Sequence, residues 1–329
     1  MNIYDIADEA GVSISTVSRV LNNRSHVKPE TRKKVEDILT KHNYTPSAIA
    51  RGLVLKNMNT IGIITIDIRV PHYAATAYVL ERELYKLGYN SILCNTGGNV
   101  ESGADYIQML NKKGVSGIIL IGSVFQNKYI ETSLIQKAYD LPFIVINSEL
   151  RADNTYSVML NHDQAVALCI NHLKDRGYKE LLFVQDAESF SGNRKAESFL
   201  RHMKKNGSVD PVNSVFKTIR GVEGGKAVIE EILASGTNFD AIIFGSDVTA
   251  VGGIQRLKEK KLRIPKDVAV IGWNNSEYST AFSPALTTVD NQDEMLASIS
   301  VKMLENLLSD VPVSKQIQVD SSLIFRETT

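Results

Sequence analysis

The chain has 329 residues, of which 43% are hydrophobic and 22% are charged, and its 37 lysines and arginines balance its 37 aspartates and glutamates. This composition is typical of a soluble protein with two or three domains, and a net charge of zero excludes a strongly basic chain of the kind that coats nucleic acids or membranes. The charge is uneven, however, because residues 1–60 hold nine basic and six acidic side chains. A basic N-terminal segment is compatible with a nucleic-acid-binding domain.

The same sequence gives no sign of secretion, disulfides or metal binding. Cys94 and Cys169 lie far apart inside apolar runs, which favours buried thiols in a reducing compartment. The N-terminus lacks the basic and apolar regions of a secretory signal, and the longest apolar runs have only the length of strands. The six histidines show no metal-site spacing. We therefore expect a cytoplasmic protein without a membrane partner, a metal or a cofactor.

Three short amphipathic helices are predicted at the N-terminus. Apolar residues of the first recur at helical spacing from Ile3 to Ala10, and Gly11 ends it. Ser13 can cap the second helix, and the third begins after Pro29. This pattern is typical of a helix-turn-helix domain, although such domains also occur in proteins that do not bind DNA. On DNA, the N-terminal part of the second helix would reach base edges with Ile14, Ser15, Thr16, Ser18 and Arg19.

A short helical segment, TPSAIARGL (45–53), follows this domain. Residues 46–54 allow at most about two and a half turns, a length that is marginal for an isolated helix in water. Gly52 weakens the segment by about a further 1 kcal/mol relative to alanine. Such a segment is a candidate for a helix that folds on a partner, and a plain linker is the alternative.

After Thr60, strand-sized apolar runs alternate with segments of helical length and periodicity, such as 73–87 and 163–175. The predicted strands are IGIITI (61–66), SILC (91–94), GIILI (117–121), FIVI (143–146), SVML (157–160), LLFV (181–184), VFKTI (215–219), AIIF (241–244) and VAVIG (268–272). A long helix in 286–308 and one or two final strands in 315–327 are predicted to follow them. Continuous apolar strands separated by crossover helices predict parallel sheets that are covered on both faces. The number of strands predicts two similar α/β lobes, divided near residue 160.

Stretches of the sequence that look like enzyme motifs are better explained by their role in the fold. GVEGGKAV (221–228) has the look of a phosphate-binding loop, but it does not match GxxxxGK[ST], and we interpret it as glycines that enter a helix. No nucleophile-elbow motif is present, so no enzyme is expected, although sequence alone leaves open a catalytic triad assembled from distant residues. An α/β enzyme and a transport-type sugar-binding protein are the alternatives from other classes. The second would need an export signal and no helix-turn-helix domain.

Several of these stretches together resemble the LacI/GalR family of bacterial transcriptional repressors over essentially the whole chain. They are IYDIADEAGVSISTVSRVLNN (3–23), VKPETRKKVEDILTKHNYTPSAIARGL (27–53), TIGII (60–64), FDAIIFGSDVTAVGGIQRLKEKKLRIPKDVAVIGWNN (239–275) and SPALTTVDN (283–291). The resemblance implies an α-helical head, a hinge helix with a linker, and an α/β core of two doubly wound parallel-sheet lobes like those of periplasmic sugar-binding proteins. The implied ranges are 1–45 for the head, 46–59 for the hinge, and 60–329 for the core, with an N-terminal lobe of about 60–160 and 292–320 and a C-terminal lobe of about 161–291 and 321–329.

The resemblance also implies function. It predicts a homodimer that binds a palindromic operator in double-stranded DNA and responds to a small-molecule effector, a sugar or sugar derivative, in the cleft between the lobes. Because no leucine-heptad helix follows the final strand, a tetramer built by such a tail is not expected. Control by a partner protein or by a phosphorylated metabolite is the alternative within the family.

Positions that approach DNA in the family carry over to this sequence residue by residue. Ser13 joins the recognition-helix residues named above, and the remaining matches that contact the DNA backbone are Tyr4, Asn22, His26 and Thr31. The segment 46–54 matches a hinge that becomes helical on operator DNA. There Leu53 matches a leucine that enters the minor groove, and Ala50 lies beside it.

The resemblance places effector contacts in the loop 67–75 and on both walls of the cleft. The matching positions are Arg69, Tyr73, Asn147, Arg194, Asp247, Trp273 and Asn274. Relatives that bind sugars often carry an acid where Asn147 and Asn274 stand, and asparagine can still donate and accept hydrogen bonds. Trp273 is either a core residue or a ligand platform. With Arg69 and Arg194 in the cleft, an anionic or phosphorylated ligand is a further hypothesis.

Overall fold

The N-terminal unit is a bundle of three short helices. The computed structural model describes residues 3–21, 27–42, 59–137, 139–205 and 211–329. The chain divides into two compact units, residues 1–60 and 61–329. The described part of the first unit contains helices α1 (Ile3–Ala10), α2 (Ile14–Leu21) and α3 (Pro29–Lys41).

A small apolar core joins the three helices. Ile6, Val17 and Val35, one from each helix, are fully buried in the same cluster. Gly11 ends α1 in the left-handed region, with φ at 63°. Glycine adopts this conformation without steric cost, so it allows the tight turn into α2. The bundle is thus built from the apolar spacing and the glycine turn that the sequence displays.

The second unit contains two six-stranded sheets. The strands of the first sheet are β1 (Thr60–Thr65), β2 (Asn90–Asn95), β3 (Gly117–Ile121), β4 (Phe143–Ile146), β5 (Thr155–Leu160) and β11 (Gln316–Val319). Those of the second are β6 (Leu181–Gln185), β7 (Val215–Lys217), β8 (Ala241–Phe244), β9 (Ala269–Asn274), β10 (Thr287–Asp290) and β12 (Ser322–Ile324). The strand orders are β11-β5-β4-β3-β1-β2 and β12-β10-β9-β8-β6-β7. Pairing is parallel from β11 through β1 and from β7 through β10, whereas β12 is antiparallel to β10.

Helices cover both faces of each sheet. The first sheet packs against α4 (Pro71–Lys86) and α11 (Asp293–Leu308) on one face and α5 (Val100–Lys112) and α6 (Lys128–Lys137) on the other. The second packs against α7 (His162–Asp175) and α8 (Phe190–Lys205), and against α9 (Val222–Ser235) and α10 (Asp247–Glu259). Short 3₁₀ turns lie at Ser123–Phe125, Pro211–Ser214 and Glu277–Ser279. The predicted fold class is confirmed.

The chain passes between the two sheets three times, after β5, after β10 and after β11. These passages are hydrogen-bonded to one another. The Gln164 side chain donates to the carbonyl of Ser321 at 3.1 Å and accepts from the Ser321 amide at 3.0 Å. The Ser321 hydroxyl in turn donates to the carbonyl of Asp290 at 2.6 Å. Hydrogen bonds therefore hold the three connections between the lobes together.

Two glycines allow α9 and α10 to pack backbone against backbone. A β-carbon added at Gly225 would lie 2.0 Å from the carbonyl oxygen of Thr249, and one added at Gly252 would lie 2.0 Å from that of Val222. Gly225 belongs to the GVEGGKAV stretch, and α9 begins within that stretch at Val222. The glycines therefore serve close helix packing.

The strand β10 is not among the predicted elements, because the stretch 286–308, predicted as one long helix, contains β10 (Thr287–Asp290) before α11 begins. The other main differences from the predicted elements lie at their ends. The strand predicted over 215–219 is shorter, because β7 ends at Lys217 and the Thr218 hydroxyl donates to the carbonyl of Gly224 at the start of α9. None of the helices in the described ranges combines the length and hydrophobicity that a bilayer-spanning segment needs.

Candidate functional sites: a recognition helix and an inter-lobe cavity

The exposed face of α2 carries the side chains that the sequence predicts to read DNA. Ile14, Ser15 and Arg19 are exposed, and Thr16 and Ser18 are half-buried. Val17 and Val20, on the opposite face, are buried in the bundle core. The α2 side chains named here as base-reading candidates include no carboxylate, and the free amides of a helix N-terminus favour negatively charged groups such as phosphates. This face can therefore meet the edge of a DNA groove.

Ser13 has a structural task at the start of α2. Its hydroxyl accepts a hydrogen bond from the Thr16 amide at 3.3 Å and contacts the hydroxyls of Ser15 and Thr16 at 2.8 and 2.9 Å. An amide at this helix position lacks an intrahelical partner, so the serine acts as an N-cap.

Removal of this cap should destabilise α2. We expect Ser13→Ala to cost about 1 kcal/mol of helix stability, and therefore to speed amide hydrogen exchange in α2 about fivefold in the full-length protein. The matched control is Ser15→Ala, which removes a neighbouring hydroxyl but leaves the cap. Equal acceleration in both variants would contradict the capping role.

Only some of the other predicted DNA contacts lie within the residues that the structure describes. Tyr4 on α1 is exposed, at 64% of its full accessible area, and Thr31 on α3 is half-buried. The predictions for Asn22, His26, Ala50 and Leu53, and for the hinge 46–54, fall outside the described residues.

A cavity of about 230 Å³ lies between the two lobes of the core. It is lined by residues that end or follow parallel strands, which is where open α/β sheets bind ligands. On the first sheet these are Ile66, Gly122 and Asn147, and on the second sheet they are Asp186, Gly245 and Asn274. The sheet topology therefore brings distant parts of the sequence to one site.

Hydrogen bonds connect the two walls of this cavity. The hydroxyl of Ser123, after β3, donates to that of Ser189, before α8, at 3.0 Å. Tyr73 on α4 is hydrogen-bonded to Arg220, which follows β7, and burial raises the pKa of the Tyr73 phenol. The lobes are thus in direct contact around the cavity.

Three of the predicted effector residues line the cavity: Tyr73, Asn147 and Asn274. Both asparagines have positive φ, 58° at Asn147 and 104° at Asn274. Such conformations are uncommon for residues other than glycine and cluster at functional sites. The side-chain oxygen of Asn147 also accepts from the Leu160 amide at 2.9 Å, so this residue fixes the end of β5.

Arg69 and Arg194 do not line this cavity. The Arg69 side chain is 86% exposed and pairs with Asp67 at 2.7 Å, and the Arg69 hydrogen bonds lower the pKa of Asp67 to about 2. Arg194 lines a smaller cavity of about 70 Å³, where its guanidinium lies 5.0 Å from the Phe190 ring centroid. The two cavities share Asn147 and His162.

Asp247 and Trp273 lie in the wall behind the cavity. The Asp247 carboxylate accepts from the amide and hydroxyl of Ser276 at 2.7 and 2.8 Å and also from the Thr288 hydroxyl, while burial raises its pKa to about 6. It therefore holds the turn that follows β9. Trp273 is fully buried in the core of the second lobe.

Sequence reasoning missed two cations that do line the cavity, Lys195 on α8 and Arg220 after β7. The Lys195 ammonium donates to the carbonyl of Gly245 at 3.1 Å and lies 4.2 Å from the Trp273 ring centroid. Burial lowers its pKa to about 7. The sequence contained a signal for the burial of Lys195, because at helical spacing Lys195 falls on the same face as the apolar residues Ala196, Phe199 and Met203, which α8 buries.

Three further titratable side chains of the lining are shifted mainly by burial. The pKa of His162 falls to about 3 and that of His72 falls well below its ordinary value, so both rings are neutral at pH 7. The pKa of Asp293, at the start of α11, rises to about 7. Its carboxyl group is hydrogen-bonded to Asn291 and, at 3.2 Å, to Thr76. The described residues hold no group of three or more potential ligands that could bind a metal ion.

Both units match known families. Residues 2–47 match the family described as bacterial regulatory proteins, lacI family, and residues 170–329 match the periplasmic binding protein-like domain. The lac repressor dimer bound to operator and the anti-inducer ONPF superimposes with a TM-score of 0.86 and 24% identity, covering 100% of this chain and 98% of that one. This structural likeness covers both units of the fold.

Curated relatives extend over the full length. An HTH-type transcriptional regulator of Lachnoclostridium phytofermentans is 34% identical over 331 residues, which cover 100% of this chain and 99% of that protein. The HTH-type transcriptional repressor PurR of Pasteurella multocida is 30% identical over 330 residues, which cover 99% and 98%. Together with the helix-turn-helix head and the two-lobed core, these matches establish that the chain belongs to the lacI family of bacterial DNA-binding transcriptional regulators.

Proposed function

We propose that the protein is a homodimeric, cytoplasmic repressor that binds a palindromic operator and performs no catalysis. The observation that carries this proposal is the exposed face of α2, where the side chains of Ser15 and Arg19 are open to solvent and that of Val17, on the opposite face, is buried. Two relatives support it, because PurR is named a repressor and the lac repressor structure contains a dimer on its operator. We assign the head to 1–45, the hinge to 46–59 and the core to 60–329, with one lobe of about 60–160 and 292–320 and the other of about 161–291 and 321–329.

In this proposal α2 of each protomer enters the major groove of one half-site. Ile14, Ser15, Thr16, Ser18 and Arg19 face base edges, with Ser13 in the turn before them, and contacts to the DNA backbone come from Tyr4, Asn22, His26 and Thr31. Specific affinity is then in the range of about 10⁻⁸–10⁻¹¹ M and falls steeply with salt, because phosphate contacts release counterions.

The hinge adds a minor-groove contact at the centre of the palindrome. Leu53, with Ala50 beside it, inserts between base steps and kinks the duplex, at a cost of a few kcal/mol of unstacking. A marginal helix suits this task, since its helicity depends on DNA and can be lost when the two hinges separate.

The effector is a sugar or sugar derivative in the inter-lobe cavity. Tyr73, Asn147 and Asn274 are its proposed direct contacts, supported by their position in the lining. Asp247 and Trp273 support the wall behind Asn274. Arg69 and Arg194 would reach a ligand only after their side chains leave Asp67 and Phe190.

Selection of random duplex DNA on the full-length protein tests the proposal. We expect enrichment of a palindrome with a central CG-like step, bound at least about tenfold more weakly by Leu53→Ala because the wedge is lost. If the variant binds as wild type does, the hinge role is wrong while the head stands. If no sequence is enriched with or without added effectors, the repressor proposal fails.

A further inference from the structure

Lys195 is an uncommon residue for the floor of a cavity. Its side chain is more than nine-tenths buried, with 8% of its accessible area exposed, and its ammonium donates only to the Gly245 carbonyl among the described residues. It forms no ion pair within 4 Å in the described part of the chain. A buried ammonium is costly unless it is paired, so a lysine at this position indicates a missing partner.

The second cation, Arg220, already shares the available carboxylate. Its guanidinium lies 3.7 Å from Asp186, whose carboxylate also accepts from the hydroxyls of Ser246 and, at 2.6 Å, Thr249. Glu188 at the same cavity pairs with Lys217 at 2.8 Å. The carboxylates of Asp186 and Glu188 are therefore engaged, and in the described part of the chain Asp186 and Asp247 act on the Lys195 ammonium only from beyond ion-pair distance.

Two further buried polar atoms without a partner lie near the Lys195 ammonium. The indole nitrogen of Trp273 and Nδ1 of His162 are buried without a hydrogen-bond partner in the described residues. The Trp273 ring lies beneath the Lys195 ammonium, and the His162 ring centroid is 6.0 Å from that of Trp273. Buried polar groups are normally satisfied, and His162 lines the cavity, so a bound polar ligand can supply the missing partner of its Nδ1.

We propose that the effector carries one anionic group, a carboxylate or a phosphate, that binds between Lys195 and Arg220. This inference rests on the proposed role of the cavity as the effector site. The polar lining formed by Asn147, Gln185 and Asn274 suits the hydroxyls of a sugar, and the cavity volume of about 230 Å³ lies below the roughly 300–1,000 Å³ of drug-sized sites. The effector class is thus a monosaccharide-sized sugar acid or sugar phosphate.

Matched ligands test the charge requirement on the full-length protein. Titration calorimetry at constant ionic strength would compare D-glucose, D-glucuronate and D-glucose 6-phosphate, the equivalent galactose series, ribose with ribose 5-phosphate, and inorganic phosphate alone. We expect an anionic member to bind about 10–100-fold more tightly than its neutral partner, because charge-assisted hydrogen bonds are the stronger ones. The carboxylate and phosphate arms identify which anion the site takes.

Variants locate the binding of the anion. Lys195→Met is expected to lower affinity for the preferred anion at least about tenfold and to lower the affinity for the neutral partner much less. Arg220→Gln, at a side chain that is 32% exposed, provides the same test if the Lys195 variant folds poorly. The control is Lys204→Met, which removes an exposed cation from the same helix.

The affinity should also depend on pH. Lys195 has a pKa of about 7, so it is charged in only part of the molecules above that pH, and a sugar carboxylate that needs the ammonium should bind about tenfold more weakly at pH 8 than at pH 6. The carboxylate stays ionised over this range, whereas a phosphate gains negative charge, so the carboxylate ligand is the one used for this test. Ionisation of Asp293, whose pKa is about 7, acts in the same direction because it adds a negative charge. The other groups that face Lys195 are Asp186, Arg220, Asp247, Cys169 and His162.

Three results would overturn the inference: tighter binding of the neutral partners, unchanged anion affinity in both cavity variants, or no saturable binding of any anion, inorganic phosphate included. Operator binding is measured on the same samples. If the wild type binds operator although the ligand tests fail, the repressor function stands and only the anion inference is wrong. If the wild type does not bind operator, the proposed function itself is contradicted.

Discussion

Arg19→Met is expected to weaken binding to the selected operator by about 2–6 kcal/mol per dimer. A bidentate contact between arginine and guanine is worth about 1–3 kcal/mol, and a palindrome contains the contact twice. Methionine keeps the helix propensity of the position and much of the side-chain length, so α2 itself should be retained. Fluorescence anisotropy with labelled operator measures the change, which amounts to about 30-fold or more in Kd.

The control for this prediction is Lys33→Met, which removes an exposed cation from α3. Both variants are compared on the operator and on a sequence with one base pair changed in each half-site. If Arg19 reads a base, its variant loses the preference for the operator. An equal loss on both sequences, with a salt slope lowered by about one per site, would instead make Arg19 a phosphate contact.

Gly252→Ala is expected to lower the melting temperature of the core by about 6–12 °C. The added methyl group would lie 2.0 Å from the carbonyl oxygen of Val222, a backbone atom that cannot rotate away, so α9 and α10 must separate. Overpacking of this kind costs about 3 kcal/mol, and 1 kcal/mol corresponds to about 2–4 °C for a unit of this size. Differential scanning calorimetry of the full-length protein measures the shift.

A matched glycine on α5 separates steric clash from helix propensity. A β-carbon at Gly103 would meet only side-chain atoms of Ile130 and Phe125, at 3.2 Å. These groups can adjust, and alanine is the better helix former by about 1 kcal/mol, so Gly103→Ala should stay within about 1 kcal/mol of wild type. Equal melting temperatures for the two variants would show that the α9–α10 contact tolerates a larger separation.

The buried strands were the most predictable part of the fold. GIILI, FIVI and AIIF coincide with β3, β4 and β8 residue for residue. A central parallel strand is apolar on both faces and ends where polar or glycine residues begin, so its first and last residues can be predicted from the sequence. At β7, which lies at the edge of its sheet, the apolar run extended two residues beyond the strand, because Thr218 turns to bond the start of α9.

The cavity was less predictable, because it depends on the rotation of single helices. Arg194 and Lys195 are adjacent, and one residue corresponds to about 100° around a helix, so one reaches the large cavity and the other a smaller one. For Arg69 the sequence did contain a local signal, because Asp67, two residues away, supplies the carboxylate that holds the Arg69 side chain outside the cavity. Neither family resemblance nor periodicity decides such rotations, which depend on packing between distant elements.

The return of α11 to the first lobe has a consequence for synthesis of the chain on the ribosome. Within the described part of the head, the apolar cluster extends from Ile3 to Leu39, so the head can fold as soon as it emerges. The first sheet, in contrast, lacks α11 and β11 until residues 293–329 are made. Translation at about 5–20 residues per second therefore separates β5 from α11 by on the order of 10 s.

During this interval the face of α4 that later contacts α11 has no cover. Leu80 and Leu84 of α4 share their cluster with Leu296, Val301 and Leu304 of α11. A nascent chain thus carries a finished DNA-binding head beside an unfinished first lobe, and premature termination before residue 293 would release a head that no effector controls. Completion of the core, and with it regulation, comes with the final segment to be translated.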